Sequence, residues 1–329
     1  MQRSILHCGL LMGSLLIFPA VASAIDASDI NEATITEKTA DLPPGKPTEP
    51  APDIVKLQIL LDRAGASPGV IDGLPGENLT KAIAGFEAIQ GLPADGKLDQ
   101  EVMQRLADQV PVVQAYAITG DDVAGLVEMI PEDYAKQAQM SALGYTSVAE
   151  RLAERFHMDE NLLKKLNPTA SFAAGETIAV AVAGEARHGS IGNIGNIEVH
   201  RKTGQVFAFG KDKSLLAVYP ATIGSEETPS PTGTHKVKGV ARMPVYVYNP
   251  KINFQQGNNK QILKLPGGPN NPVGTVWIDL TEPTYGIHGT PEPNLVGKTG
   301  SHGCVRLTNW DVEELSGMVK PGVVVTFMN

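Results

Sequence analysis

Cysteine is scarce in this chain of 329 residues: there are two, Cys8 and Cys304. Aromatic residues make up only 5%, so the core must be built from aliphatic side chains. No block of lysine and arginine stands out and the formal net charge is −9. That excludes nucleic acid as the main partner, because neutralising phosphates needs clustered cations. Beyond the N-terminus, no apolar run is long enough to span a bilayer. What remains is 42% hydrophobic and 19% charged, a globular balance, and the length suits two or three domains.

The N-terminus reads as a secretory signal over residues 1–24. Arg3 supplies the positive start, "ILHCGLLMGSLLIFPAV" the apolar run, and "ASA" at 22–24 the small-residue cleavage pattern. A retained membrane anchor is the competing reading of the same run. Cleavage after Ala24 would remove Arg3 and Cys8, leaving a net charge of about −10 and Cys304 as the one cysteine. A single thiol cannot form an internal disulfide, and in an oxidising compartment it is a hazard unless buried or used.

Residues 25–52 are polar and then proline-rich, and read as a disordered linker. Residues 53–110 carry helical periodicity in three places, with Ile54, Leu57, Leu60 and Leu61 on the first and Ala82, Ile83, Phe86 and Ile89 on the second. Asp-Gly turns separate them. The order "LQILLDRAG…PGVIDGLPGENLTKAIAGFEAIQGLPADGKLD" resembles the three-helix peptidoglycan-binding domain family, although "FEAIQ" stands where Phe-Gln is commoner. The resemblance implies glycan-strand or stem-peptide binding; a helical spacer is the bland reading. Residues 111–144 read as linker. Residues 145–187 contain two helical segments and the strand "GETIAVAV", with "RLAERF", "LLKKLN" and "AGETIAV" in sequence. This is similar to a degenerate LysM module. His157, beside the first of these helices, reads as structural.

From residue 195 the texture becomes strands: "IEVHRKTGQVFAFG", "LLAVYPATIG", "THKVKGVA", "PVYVYNP", "GTVWIDL" and "GVVVTFMN". One helix is expected at residues 308–319, with Thr308 and Asp311 placed as a capping pair. Within this region "YGIHGTPEP" (285–293) and "SHGCVRL" (301–307) concentrate the chemistry. A free thiol has a pKa near ~8.5 and needs a base or a positive field to ionise. His288 is a candidate base. Gly303, directly before Cys304, lets a substrate approach the backbone closely. Arg306 shares a face with Cys304 if the chain is extended there, where it could lower the thiol pKa or hold a carboxylate. Zinc on His288, His302 and Cys304, with His235 as a fourth ligand, is an alternative, but no CxxC or HExxH spacing supports it. A buried inert thiol is another. Trp277 reads as core.

"HGT" followed by "SHGCVRL", together with "PSPTG" (229–233) and "NPVG" (271–274), resembles the L,D-transpeptidase catalytic domain family over residues 195–329. The resemblance implies a multidomain protein: a mainly-β catalytic domain, a mixed sandwich or barrel with one helix, preceded by small α-helical and α+β modules. It implies catalytic roles for Cys304 as nucleophile, His288 as base, the Gly289 carbonyl as orienter of the imidazole, His302 in shaping the site, and the Gly303 and Cys304 amides as oxyanion donors. Arg306 and Tyr285 would contact substrate. No cofactor or metal is needed. The implied reaction is attack on a peptidoglycan stem tetrapeptide, release of D-alanine, and transfer to an amine for 3–3 cross-linking, in an exported, periplasmic or wall-bound protein with no transmembrane segment after signal cleavage. Water or a D-amino acid as acceptor, a protein lysine that tethers or releases a wall lipoprotein, and a wall-binding protein without catalysis are the alternatives.

Overall fold

The computed structural model describes residues 25–41, 48–107, 111–184, 193–225, 228–301 and 303–329. The signal-like segment, Cys8 and His302 lie outside the described residues. Among the described residues no helix is long and apolar enough to cross a membrane.

The N-terminal half is helical. α1 (Ala27–Glu32) starts with a capping box between Asp26 and Asp29 and drops Ile30, fully buried, into the core. Sequence gave no periodicity there because one apolar residue in a six-residue helix makes no pattern. α2 (Pro52–Arg63), α3 (Glu77–Gln90) and α4 (Gln100–Leu106) follow. The loops between them are pinned by buried side chains. Gln58 accepts from the amides of Asp72 and Gly73 at 3.1 and 2.8 Å, which holds the first Asp-Gly turn. Glu87, which stands in the "FEAIQ" departure, accepts from Gly96 N–H at 2.7 Å and holds the second. Burial pushes its carboxyl above the ordinary range.

Residues read as linker contain a strand. β1 (Val113–Ala117) pairs antiparallel with β2 (Thr177–Ala181), and α7 (Val148–Arg155) and α8 (Glu160–Leu166) lie between them in sequence. Short helices α5 (Gly120–Val123) and α6 (Tyr134–Gln137) occupy the rest. Side chains from α1 to α4, β1, β2, α7 and α8 share one hydrophobic core.

The C-terminal half is a nine-stranded sheet: β3 (Ile194–His200), β4 (Gln205–Gly210), β5 (Leu215–Pro220), β6 (Thr222–Ile223), β7 (Gly233–Arg242), β10 (Val276–Leu280), β11 (Gly286–His288), β12 (Val305–Arg306) and β13 (Val324–Met328). Its order is β5-β4-β3-β13-β7-β10-β11-β12-β6. β5 and β6 are the two edges, yet Ala221 alone separates them in sequence. The sheet therefore has to curl until its edges nearly meet. Its apolar interior joins Val312, Leu315 and Met318 of α9 (Asn309–Met318) to the strands. Thr308 caps α9 by accepting from Asp311 N–H at 3.1 Å. A hairpin of β8 (Tyr246–Tyr248) and β9 (Leu263–Leu265) stands apart.

The two halves are docked, not strung. Val218 of β5 exchanges backbone hydrogen bonds with residues 65–67: Val218 N–H donates to Gly65 O at 2.8 Å and Ser67 N–H to Val218 O at 2.9 Å. The sheet edge is thereby covered. A Cβ on Gly85 of α3 would sit 3.0 Å from the Val218 side chain, so α3 lies close on β5. Three segments meet around His157, whose φ is +59°. Its imidazole bonds Asp62 at 3.1 Å and stacks on Trp310 at 5.3 Å. Burial opposes charge on His157, but the Asp62 charge and hydrogen bond, with Asp311 and Glu314, together hold the pKa above the ordinary value. Asp311 beside them is pushed up to about 8 by burial and by the Asp62 charge, against hydrogen bonds from Ser67 and Thr308 and the His157 charge.

Gly85→Leu should wedge α3 from β5 and cost about 1–3 kcal/mol, read as a lower denaturation midpoint. Asp311 and His157 both have raised folded pKa values, so each stabilises the fold at low pH and loses that contribution as pH rises. The Asp311 contribution should therefore be lost between about pH 4 and about pH 8, so the Tm should fall over that range, and Asp311→Asn should flatten the fall in calorimetry.

Candidate active site

β11 and β12 lie side by side in parallel, pairing Ile287 with Val305 and His288 with Arg306. This register brings His288 next to the loop that ends in Cys304. The loop is fixed by Ser301, whose hydroxyl donates to Cys304 O at 2.6 Å and accepts from Gly224 N–H at 2.7 Å. Thr228, just before "PSPTG", donates to Ser301 O at 3.0 Å. Gly303 has φ +102°, and a Cβ there would lie 2.8 Å from the Tyr285 ring, so both backbone and packing require glycine.

His288 is 6% exposed. Its Nδ1 lies 2.6 Å from the carbonyl of Gly289. A carbonyl only accepts, so Nδ1 carries the proton and Nε2 keeps its lone pair. Trp277 of β10 stacks on the imidazole with ring centres 5.5 Å apart and planes at 17°. Burial pushes the His288 pKa down to about 4, against the Gly289 hydrogen bond and with help from Arg306. Burial pushes the Cys304 thiol up, while the Gly286 amide and Arg306 pull it down. The thiol lies 3.8 Å from Thr284 O. At neutral pH the pair is a thiol and a neutral imidazole, the state from which a base takes a proton during attack. Arg306 Nε is buried with no hydrogen-bond partner among the described residues, a donor still to be used.

The turn after His288 has its own support. Asn309 Oδ1 accepts from the amides of Thr275 and Thr290, each at 3.1 Å. A Cβ at Gly274 or Gly289 would come within 2.1 or 2.2 Å of that oxygen. Two Gly-Thr pairs thus wrap one carboxamide.

A roof lies nearby. Tyr134 of α6 packs edge-on against Tyr246 and Tyr248 of the β8–β9 hairpin, at 6.2 and 5.4 Å. The Tyr246 hydroxyl is pushed up mainly by burial and also feels Cys304; that of Tyr134 is pushed up to about 12 by burial, against the Arg306 charge. Backbone bonds from Leu143 N–H to Gly267 O at 3.1 Å and from Asn270 N–H to Leu143 O at 3.0 Å tie Leu143 to the turn that follows β9.

Residues 195–326 match the family model described as "L,D-transpeptidase catalytic domain", and residues 50–106 match "Putative peptidoglycan binding domain". "Putative L,D-transpeptidase YqjB" of Bacillus subtilis (strain 168) is 30% identical over 132 residues, covering 39% of this chain and 67% of that protein. The chain belongs to the L,D-transpeptidase family. "Putative L,D-transpeptidase YkuD" of the same organism is 35% identical over 112 residues, 34% of this chain and 53% of the relative. The chain spans about half the length of the YkuD relatives it matches. Among solved structures, the L,D-transpeptidase from Mycobacterium smegmatis is 19% identical with a TM-score of 0.34, over 47% of this chain and 64% of that one.

In this family member the fold gathers Cys304, His288, Gly289, Gly303, Arg306 and Tyr285 in one place, while His302 lies outside the described residues. His235 is elsewhere, 3.6 Å from Glu282 and stacked edge-on against Phe327. Among the described residues no three His, Cys, Asp or Glu side chains converge as a metal site. Sequence reading missed Asn309 and the Tyr134–Tyr246 roof, and gave Trp277 to the core. The repeated Gly-Thr at 274–275 and 289–290 was a usable signal for Asn309. Trp277 had none, because a strand tryptophan reads alike whichever ring it stacks on.

Proposed function

We propose that this chain is an exported peptidoglycan L,D-transpeptidase in which Cys304 is the nucleophile. Cys304 Sγ attacks the carbonyl of the third residue of a stem tetrapeptide while His288 Nε2 takes its proton. The tetrahedral oxyanion rests on backbone amides of the Gly303–Cys304 turn. Collapse breaks the peptide bond, His288 returns the proton to the leaving D-alanine amine, and a thioester remains. An amine of a neighbouring stem then attacks the thioester, and with diaminopimelate as acceptor the product is a 3–3 cross-link. Arg306, with its buried unpaired Nε, holds a substrate carboxylate, and Tyr285 edges the pocket.

The observation that supports this most is the parallel pairing of β11 and β12, with the imidazole held by Gly289 O beside the cysteine loop. It is the arrangement of a nucleophile, a base and an orienter. The helical module at residues 50–106 binds wall polymer, and β1, α7, α8 and β2 form a LysM-like companion. The N-terminal apolar run directs export to the periplasm, where the wall is.

The test is mass spectrometry of muropeptides after incubation of the protein with tetrapeptide-rich peptidoglycan. Free D-alanine and 3–3 dimers are expected. Cys304→Ala should give neither and form no acyl adduct, and His288→Ala should lose roughly 100-fold or more in rate. Trimming without dimers would instead indicate water as acceptor. The pH profile follows from the depressed imidazole: kcat/KM should hold through neutrality and fall only as pH approaches about 4, where His288 binds the proton it must otherwise accept.

A further inference from the structure

The support behind the His288 turn does not end within the catalytic domain. Asn309 Nδ2 donates to both carboxyl oxygens of Glu154, at 3.1 and 3.0 Å, and lies 3.3 Å from Pro269 O. Glu154 sits on α7, 155 residues earlier in the chain, and accepts a further bond from Tyr145 OH at 3.1 Å. The other face of the same carboxamide holds the amides of Thr275 and Thr290. Thr290 is bonded directly to Gly289, whose carbonyl fixes Nδ1 of His288. A carboxamide gripped at one end only can rotate about its last bond. Gripped at both ends it cannot, and the Gly289–Thr290 turn inherits that rigidity.

We propose that Glu154, contributed by the accessory α7 helix, is a positioning residue for catalysis: it locks Asn309, and through it the turn that aims His288 at Cys304. The proposal rests on His288 being the base. It means that the module upstream completes the active site and is not only an anchor to the wall. Burial pushes the Glu154 carboxyl up to about 8, so at neutral pH it is largely uncharged. Glutamine keeps one acceptor oxygen, which in the place of Oε2 can accept from both Asn309 and Tyr145.

The experiment uses the full chain. Glu154→Ala, Glu154→Asp, Glu154→Gln and Arg155→Ala are compared for D-alanine release, for Tm, and for the pH dependence of Cys304 alkylation by iodoacetamide, read on the Cys304 peptide. Arg155 is the control, since it neighbours Glu154 but pairs with Asp122 and Tyr116 instead. Loss of aim should cut kcat about 10- to 100-fold in Glu154→Ala with KM little changed. Glu154→Asp, which withdraws the carboxyl by one methylene without emptying the site, should show a smaller loss of the same kind, and it carries the test if the alanine variant does not fold. Glu154→Gln should restore most of kcat. Arg155→Ala should lower Tm with kcat kept within about twofold. The inference is overturned if kcat survives in the Ala and Asp variants, or if Arg155→Ala loses as much kcat at equal loss of Tm. If the unaltered protein releases no D-alanine, the transpeptidase reading fails and alkylation decides alone: a pH profile shifted by Glu154→Ala supports the coupling, and an unshifted one overturns it.

Discussion

One buried carboxamide ties this protein together. Asn309 is 2% exposed at the start of α9, and every polar atom of its side chain is committed. Its oxygen holds the turns that flank β10 and follow β11; its nitrogen reaches α7 in the accessory half. A buried polar group that lost these partners would cost about 1–3 kcal/mol per group left unpaired. The network therefore sets a definite distance between the helical modules and the catalytic strands. Glycine at 274 and 289 is a consequence, since no Cβ fits beside the carboxamide oxygen.

The same logic explains the chemistry of the site. A neutral imidazole needs burial and a fixed tautomer, and it gets the first from the stacked Trp277 ring and the second from Gly289 O. Burial that lowers the histidine pKa also raises that of the thiol, so at neutral pH both groups are uncharged. Arg306, two residues after Cys304 and paired with His288 across the β11–β12 ladder, moderates the thiol. Tyr134, in a segment that looks like a connector, packs on the β8–β9 hairpin, so that segment belongs to the catalytic half's packing.

Much of this was legible in sequence. The helices of residues 53–110 show because their apolar residues recur at helical spacing, and the strands after residue 195 because alternation and turn residues mark them. Cys304, His288 and Arg306 stand out by residue type and by the glycines around them. Other parts were not legible. β1 hid in a stretch read as linker, since five residues with one fully buried member carry little pattern. α1 hid for a similar reason. Glu154, between Ala153 and Arg155, reads as an ordinary surface acid on an amphipathic helix, and its burial is created by Tyr145 and Asn309 folding over it.

Sequence by itself determined the order of the modules, the one cysteine after the signal-like segment, and the glycine-flanked histidine and cysteine as candidates for one site. These are local properties of composition, period and turn chemistry. Tertiary structure alone decided which nitrogen of His288 is free, why glycine is required at 274, 289 and 303, and that the accessory helix reaches the catalytic turn. Each of those depends on contacts between residues far apart in the chain, and no local pattern encodes a contact whose two halves lie 155 residues apart.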